Sequence, residues 1–194
     1  PLSRPFHASM ERAYLIQMTI DGIKLADSIL DKFGQLPVPK KFLAAISVGD
    51  DVASKSFLAQ KKKTAEKLGI DFRLYEFGAD ISSDELRKEV GRISTQSRCG
   101  GVILQLPLPE HISAQYALNA ILPEKDVDVL GERALGAFYA GRSKVLPPSV
   151  AVVEEILKKT SVDLPQSTVA VVGAGRLTGK PIATWLLGKA KEVI

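Results

Sequence analysis

From residue 20 onward, apolar positions switch between the 3.6-residue repeat of helices and the short runs or two-residue alternation of strands. Residues 20–36 carry Ile23, Ala26, Ile29, Leu30 and Phe33 on one stripe and predict a helix. Residues 42–48 form an apolar strand, ended by the turn signal Gly49-Asp50-Asp51. Ser54 is placed to cap a helix that runs to Leu68 and stops at Gly69. Residues 72–77 alternate as a strand, and Ser82 with Glu85 makes a capping-box pattern ahead of Leu86, Val90 and Ile93. Residues 101–106 are an apolar strand broken by Pro107 and Pro109; residues 113–122 predict a helix, and 135–145 an irregular stretch. Residues 149–160 read as a helix, 168–172 as a β-branched strand running into Gly173-Ala174-Gly175, and 181–189 as the helix after it. Glu192-Val193-Ile194 has the pattern of a strand beginning. Alternating strands and helices predict an α/β fold with a mainly parallel sheet.

Composition narrows the classes of function. Only 6% of the 194 residues are aromatic, but 45% are hydrophobic and 25% charged, a balance that supports a packed core and argues against disorder. One cysteine, Cys99, excludes a disulfide framework, and with two histidines, His7 and His111, a multi-histidine metal site is not expected. No uncharged apolar run approaches the roughly 20 residues of a membrane span, and the expected setting is cytoplasmic. The net charge of +4 suits anionic ligands but is too dispersed to point to nucleic acid. Residues 1–19, with Met10 inside them, read as an N-terminal extension.

Four constellations carry candidate chemistry. Gly173-x-Gly175-x-x-x-Gly179-x-Pro181 lies between a strand and a helix, where glycines let backbone N–H groups approach a pyrophosphate; a plain strand-to-helix turn favours glycine as well. Phe57 and Lys61 share a helix face at i and i+4. A lysine beside apolar surface can act as an acid or base, although Lys61 also belongs to the solvated run Lys61-Lys62-Lys63. Gln105 ends an apolar strand, where parallel sheets bind ligands, or it is a structural amide. In Lys125-Asp126-Val127-Asp128 the two aspartates are either a catalytic pair or a capped turn with Lys125 and Asp126 solvated.

Taken together, these residues resemble the bifunctional methylenetetrahydrofolate dehydrogenase/cyclohydrolase family. The resemblance rests on Ile20-Asp21-Gly22, Val48-Gly49-Asp50-Asp51-x-Ala53-Ser54, Lys61-x-Lys63, Gln105-Leu106-Pro107-Leu108-Pro109, Lys125-Asp126-Val127-Asp128 and the Gly173–Pro181 turn, in that order. It implies a three-layer α/β folate domain over residues 20–148. Residues 149–194 would then be a connecting helix and the first strand–turn–helix of a Rossmann-type NAD(P)-binding domain, cut short at Ile194. It implies hydride transfer from methylenetetrahydrofolate to NADP or NAD, then hydrolysis of the methenyl product, in one-carbon metabolism and in a homodimer. By resemblance Lys61 is the acid/base, Gln105 orients it, Asp128 and Phe57 bind the folate, and Gly173, Gly175, Arg176 and Gly179 bind the cofactor.

Four departures fall in that site. Phe57 stands where the family has tyrosine, Val129-Leu130 where it has Gly-Phe, and Pro147-Pro148-Ser149-Val150 where it has Pro-Cys-Thr-Pro. Ala174 and Gly175 replace an arginine and a serine of the phosphate loop. They open a second reading, a catalytically impaired member that binds folate in a regulatory role.

Overall fold

The computed structural model describes residues 19–194, so the expected extension lies, but for its last residue, outside the described residues. Asp21 starts helix α1 (Gly22–Gly34), its carboxylate accepting from the backbone N–H groups of Ile23 and Lys24 at 3.0 and 3.1 Å. The predicted apolar stripe is present, but no described residue buries it: Ile23 and Phe33 stay 77% and 54% exposed.

Strand β1 (Phe42–Val48) is the centre of a three-stranded parallel sheet, between β2 (Phe72–Phe77) and β3 (Cys99–Leu104). Parallel neighbours need crossovers, which helices α2 (Val52–Lys67) and α3 (Ser83–Thr95) supply. Alternation along β1 then builds two cores, with Phe42, Ala44, Ile46 and Val48 packed in a cluster with Leu86, Val90 and Ile93 of α3. That cluster also takes in Ala117 and Leu118 of α4 (Ala114–Leu118). Ala45 lies on the opposite face with Leu58 of α2 and Ile103. Helices thus cover both faces of the sheet.

Beyond α4, the chain runs through α5 (Glu132–Tyr139) and α6 (Pro148–Lys158) to a second, two-stranded parallel sheet. This sheet pairs β4 (Thr168–Val169) with β5 (Glu192–Val193), and helix α7 (Gly179–Leu186) lies between them in sequence. A third core joins α5, α6 and α7 through Phe138, Val150, Ile182 and Trp185. It holds the opening of a Rossmann-type unit against the first domain.

Several elements differ locally from their sequence expectation. Helix α2 starts a turn early, because Asp51 and not Ser54 caps it, accepting from the Ser54 N–H at 2.7 Å. Strand β3 begins and ends two residues earlier than expected, while α4 stops at Leu118 and β4 at Val169. The stretch 135–145 is not wholly irregular: α5 occupies its start, since Ala134 and Phe138 at i and i+4 bury one face although Gly131, Gly136 and Gly141 obscure the pattern. Helix α7 starts at Gly179 rather than Pro181.

Close packing of the 125–128 segment on β3 positions the site. Val102 and Asp126 form an isolated parallel bridge, and Val127 lies against Gly101. A β-carbon on Gly101 would meet Val127 Cγ1 at 2.6 Å and Leu43 Cδ1 at 3.2 Å, whereas one on Gly136 in α5 meets nothing within 4 Å. The two alanine substitutions should therefore have opposite signs in urea denaturation. Gly101→Ala is expected to destabilise by about 1–3 kcal/mol, and Gly136→Ala to stabilise by about 0.5–1 kcal/mol. A neutral Gly101→Ala would contradict the packing of Val127 on β3.

Candidate active site

Lys61 and Gln105 meet where α2 passes the end of β3. The Gln105 N–H donates to Ile46 O at 2.9 Å, which carries the ladder one residue past β3 and fixes the backbone. Its side-chain Nε2 donates to Leu106 O at 2.6 Å, so Oε1 faces the helix and accepts from Lys61 Nζ at 3.2 Å. Leu106 precedes Pro107 through a cis peptide bond. Both side chains are half-buried. A neutral amide thus orients the amine without the charge that a carboxylate partner would bring.

The two aspartates of residues 125–128 have separate roles. Neither Lys125 nor Asp126 is solvated as one sequence reading expected. Lys125 Nζ donates to the carbonyls of Ser94 and Gln96 at 2.6 and 2.9 Å, satisfying the C-terminal end of α3. Asp126 is 2% exposed, and its Oδ2 accepts from the N–H groups of Leu130 and Gly131 at 3.0 and 2.7 Å. Burial pushes its carboxyl above the usual range, against the pull of those backbone bonds.

Between these anchors the chain turns sharply, and Val129 adopts φ +55°. For a β-branched residue the left-handed region costs about 1–2 kcal/mol. Here the turn is held by Asp126 and by the Val129 side chain, which packs with Ala134, Phe138 and Val150. The family's glycine would adopt this turn freely.

Asp128, on the same turn, is half-buried, and no protein donor reaches its carboxylate among the described residues. Burial raises its pKa, while Lys61 attracts its charge and Asp126 repels it. Lys61, Gln105 and Asp128 line one cavity of about 360 Å³, walled by Leu106, Leu130, Leu135 and Pro147–Ser149 and closed from the C-terminal side by Arg176, Leu177 and Thr178. Phe57 stands one turn before Lys61, 59% exposed and outside this lining. A larger hollow of about 770 Å³ follows the open edge of β4, but its walls are largely aliphatic and bring no titratable groups together.

The glycine loop turns tightly onto the start of α7. Gly173 adopts φ +101°, and a β-carbon on Gly179 would fall 1.8 Å from Gly173 O, so the loop folds back onto the start of α7 only with glycine there. This geometry fits a dinucleotide pyrophosphate. Gly175 accepts from the Lys180 N–H at 3.0 Å within the same turn. Arg176 does not face the loop's interior. Its Nη2 donates to Leu130 O at 2.8 Å and to Gln115 Oε1, across the cleft in the first domain. The sequence carried no signal for this contact, or for the buried role of Asp126; the one local hint is Gln115 and Asn119, polar residues four apart on a short helix.

Comparison with known proteins places this geometry. A family model described as tetrahydrofolate dehydrogenase/cyclohydrolase, catalytic domain, matches residues 20–128. The chain is 41% identical over 151 residues to the bifunctional protein FolD of Bacillus licheniformis, covering 78% of this chain and 53% of that protein. It is 35% identical over 174 residues to bifunctional FolD of Agathobacter rectalis, covering 87% and 62%. Among solved structures, the bifunctional FolD enzyme of Campylobacter jejuni superposes with a TM-score of 0.76 at 30% identity, covering 89% of this chain and 61% of that one. The Trypanosoma brucei dehydrogenase-cyclohydrolase, complexed with NADP cofactor and inhibitor, gives 0.81 at 28% identity, covering 91% and 63%. The chain spans about half the length of the Bacillus relatives it matches. With the domain match running from α1 through Asp128, and the first sheet and Lys61, Gln105 and Asp128 contained in it, the chain belongs to the tetrahydrofolate dehydrogenase/cyclohydrolase family.

Proposed function

We propose that the cavity between Lys61 and Asp128 binds a reduced folate carrying a one-carbon unit. With a complete nucleotide domain, the protein would oxidise methylenetetrahydrofolate and hydrolyse the methenyl product. The observation that carries this reading is the pairing of an amide-oriented lysine, Lys61 on Gln105 at 3.2 Å, with a carboxylate, Asp128, unpartnered among the described residues, on the same cavity. A carboxylate without a protein donor suits the N–H edge of a pterin, which offers adjacent donors. The similar Campylobacter jejuni enzyme is named for the same two activities.

In the hydrolytic step, Lys61 as the free amine takes a proton from a water that attacks the methenyl carbon. The resulting ammonium returns that proton to the folate N5 as the carbon–N5 bond breaks, and the remaining hydroxyl proton leaves to solvent. The formyl group stays on N10. Gln105 keeps the amine aimed at the carbon through both transfers. Gly173, Gly175 and Gly179 would hold a nicotinamide dinucleotide, NAD or NADP, by its pyrophosphate, and that group when bound supplies the hydride acceptor of the oxidative step. A homodimer and a cytoplasmic setting complete the reading as the sequence suggested it.

Two substitutions test it. Lys61→Met should abolish methenyltetrahydrofolate hydrolysis, followed by loss of the methenyl absorbance, while leaving folate affinity within a few-fold; surviving hydrolysis would remove Lys61 from the acid/base role. Asp128→Asn should weaken folate binding by about ten- to a hundredfold in calorimetry, through loss of a charge-assisted hydrogen bond. It should also stabilise the chain at neutral pH. Burial holds the Asp128 carboxyl above its usual range, so ionising it opposes folding. The advantage of the asparagine variant should shrink toward about pH 4 and below, where the wild-type acid is protonated in both states. An advantage independent of pH would show that Asp128 is not a desolvated carboxylate.

A further inference from the structure

We propose that Arg176 is a positioning residue for Asp128, supplied by the nucleotide half to the folate half; the proposal rests on the reading of Asp128 as the folate-binding carboxylate. The turn that carries Asp128 is strained, because Val129 sits in the left-handed region without being glycine, and contacts from two sides hold it. From within the first domain, Asp126 grips the Leu130 and Gly131 N–H groups. From the cleft side, the Leu130 carbonyl accepts from Arg176 Nη2 at 2.8 Å, and more weakly from Gln115 Nε2 at 3.4 Å.

Gln115 completes the clamp. Its Oε1 accepts from Arg176, and its Nε2 donates to Asn119 Oδ1 at 2.9 Å; that oxygen in turn accepts from the Glu132 N–H at 2.9 Å, where α5 begins. Arg176 is therefore joined to both ends of the segment that leaves the Asp128 turn. Its own backbone is steadied nearby, since Ser149 Oγ donates to Leu177 O at 2.7 Å. A guanidinium suits this post because one planar nitrogen centre reaches two acceptors at once, as a lysine ammonium on a flexible stem does less well.

The test is a double-mutant cycle on the 194-residue chain, with tetrahydrofolate binding read by calorimetry. Arg176→Met should weaken binding about tenfold in the wild-type background and less than twofold in the Asp128→Asn background, because the clamp acts through that carboxylate. Arg176→Lys should recover part of the loss. Equal losses in both backgrounds, or none in either, would overturn the proposal. Amide hydrogen exchange gives a second readout that needs no ligand. In Arg176→Met, the Leu130 and Gly131 amides should exchange at least about tenfold faster while Ala45 and Ile46 in the central strand keep their wild-type rates. Unchanged exchange at Leu130 and Gly131 would overturn the clamp by itself. If the wild-type chain binds no folate, the functional reading fails, and the exchange experiment still decides whether Arg176 holds the turn.

Discussion

A carboxylate buried without a cation is expensive, and among the described residues the Asp126 carboxylate is buried with only backbone N–H groups to face it. The remainder of the site depends on that arrangement. By accepting from Leu130 and Gly131, Asp126 folds the chain back on itself immediately after Asp128 and delivers α5 to the cleft. Its bridge to Val102 anchors the same segment to β3, whose end carries Gln105 and through it Lys61. One buried acid therefore fixes the spacing between the group that would recognise a folate and the group that would act on it.

The two acids of residues 125–128 show how environment divides roles between identical side chains. Val127 packs toward Gly101 and Leu43, Asp126 turns to the Leu130 and Gly131 N–H groups, and Asp128 lines the cavity with Lys61 and Gln105. Burial raises both carboxyls. Backbone donors satisfy Asp126, whereas among the described residues Asp128 has none and stays open to the cavity. The site keeps an unsatisfied group in the cavity at a cost in stability, a common arrangement where function and folding compete.

Much of this was legible in the sequence because it is local. The capping box at Ser82 and Glu85, the apolar run of 42–48 and the glycine turn after β4 each follow from neighbours a few residues apart, and the structure contains all three. Resemblance placed Lys61, Gln105 and Asp128 in one site, and they line one cavity. The burial of Asp126 was not legible, because it is decided by a glycine 25 positions earlier that admits Val127 against β3. Nor was the direction of Arg176, whose acceptors lie 46 and 61 positions away in the chain. Helix α5 was hidden by glycines that its packing tolerates. Long-range contact, not local propensity, set each of these.

The central claim is that Asp128, and not Asp126, is the carboxylate offered to a folate. Carbon-13 NMR of the aspartate side-chain carboxyls during titration with tetrahydrofolate tests it most directly. A shift of the Asp128 resonance that saturates with binding, with Asp126 unmoved in its backbone cradle, is the predicted result. Saturable binding that leaves the Asp128 carboxyl unshifted would contradict the account.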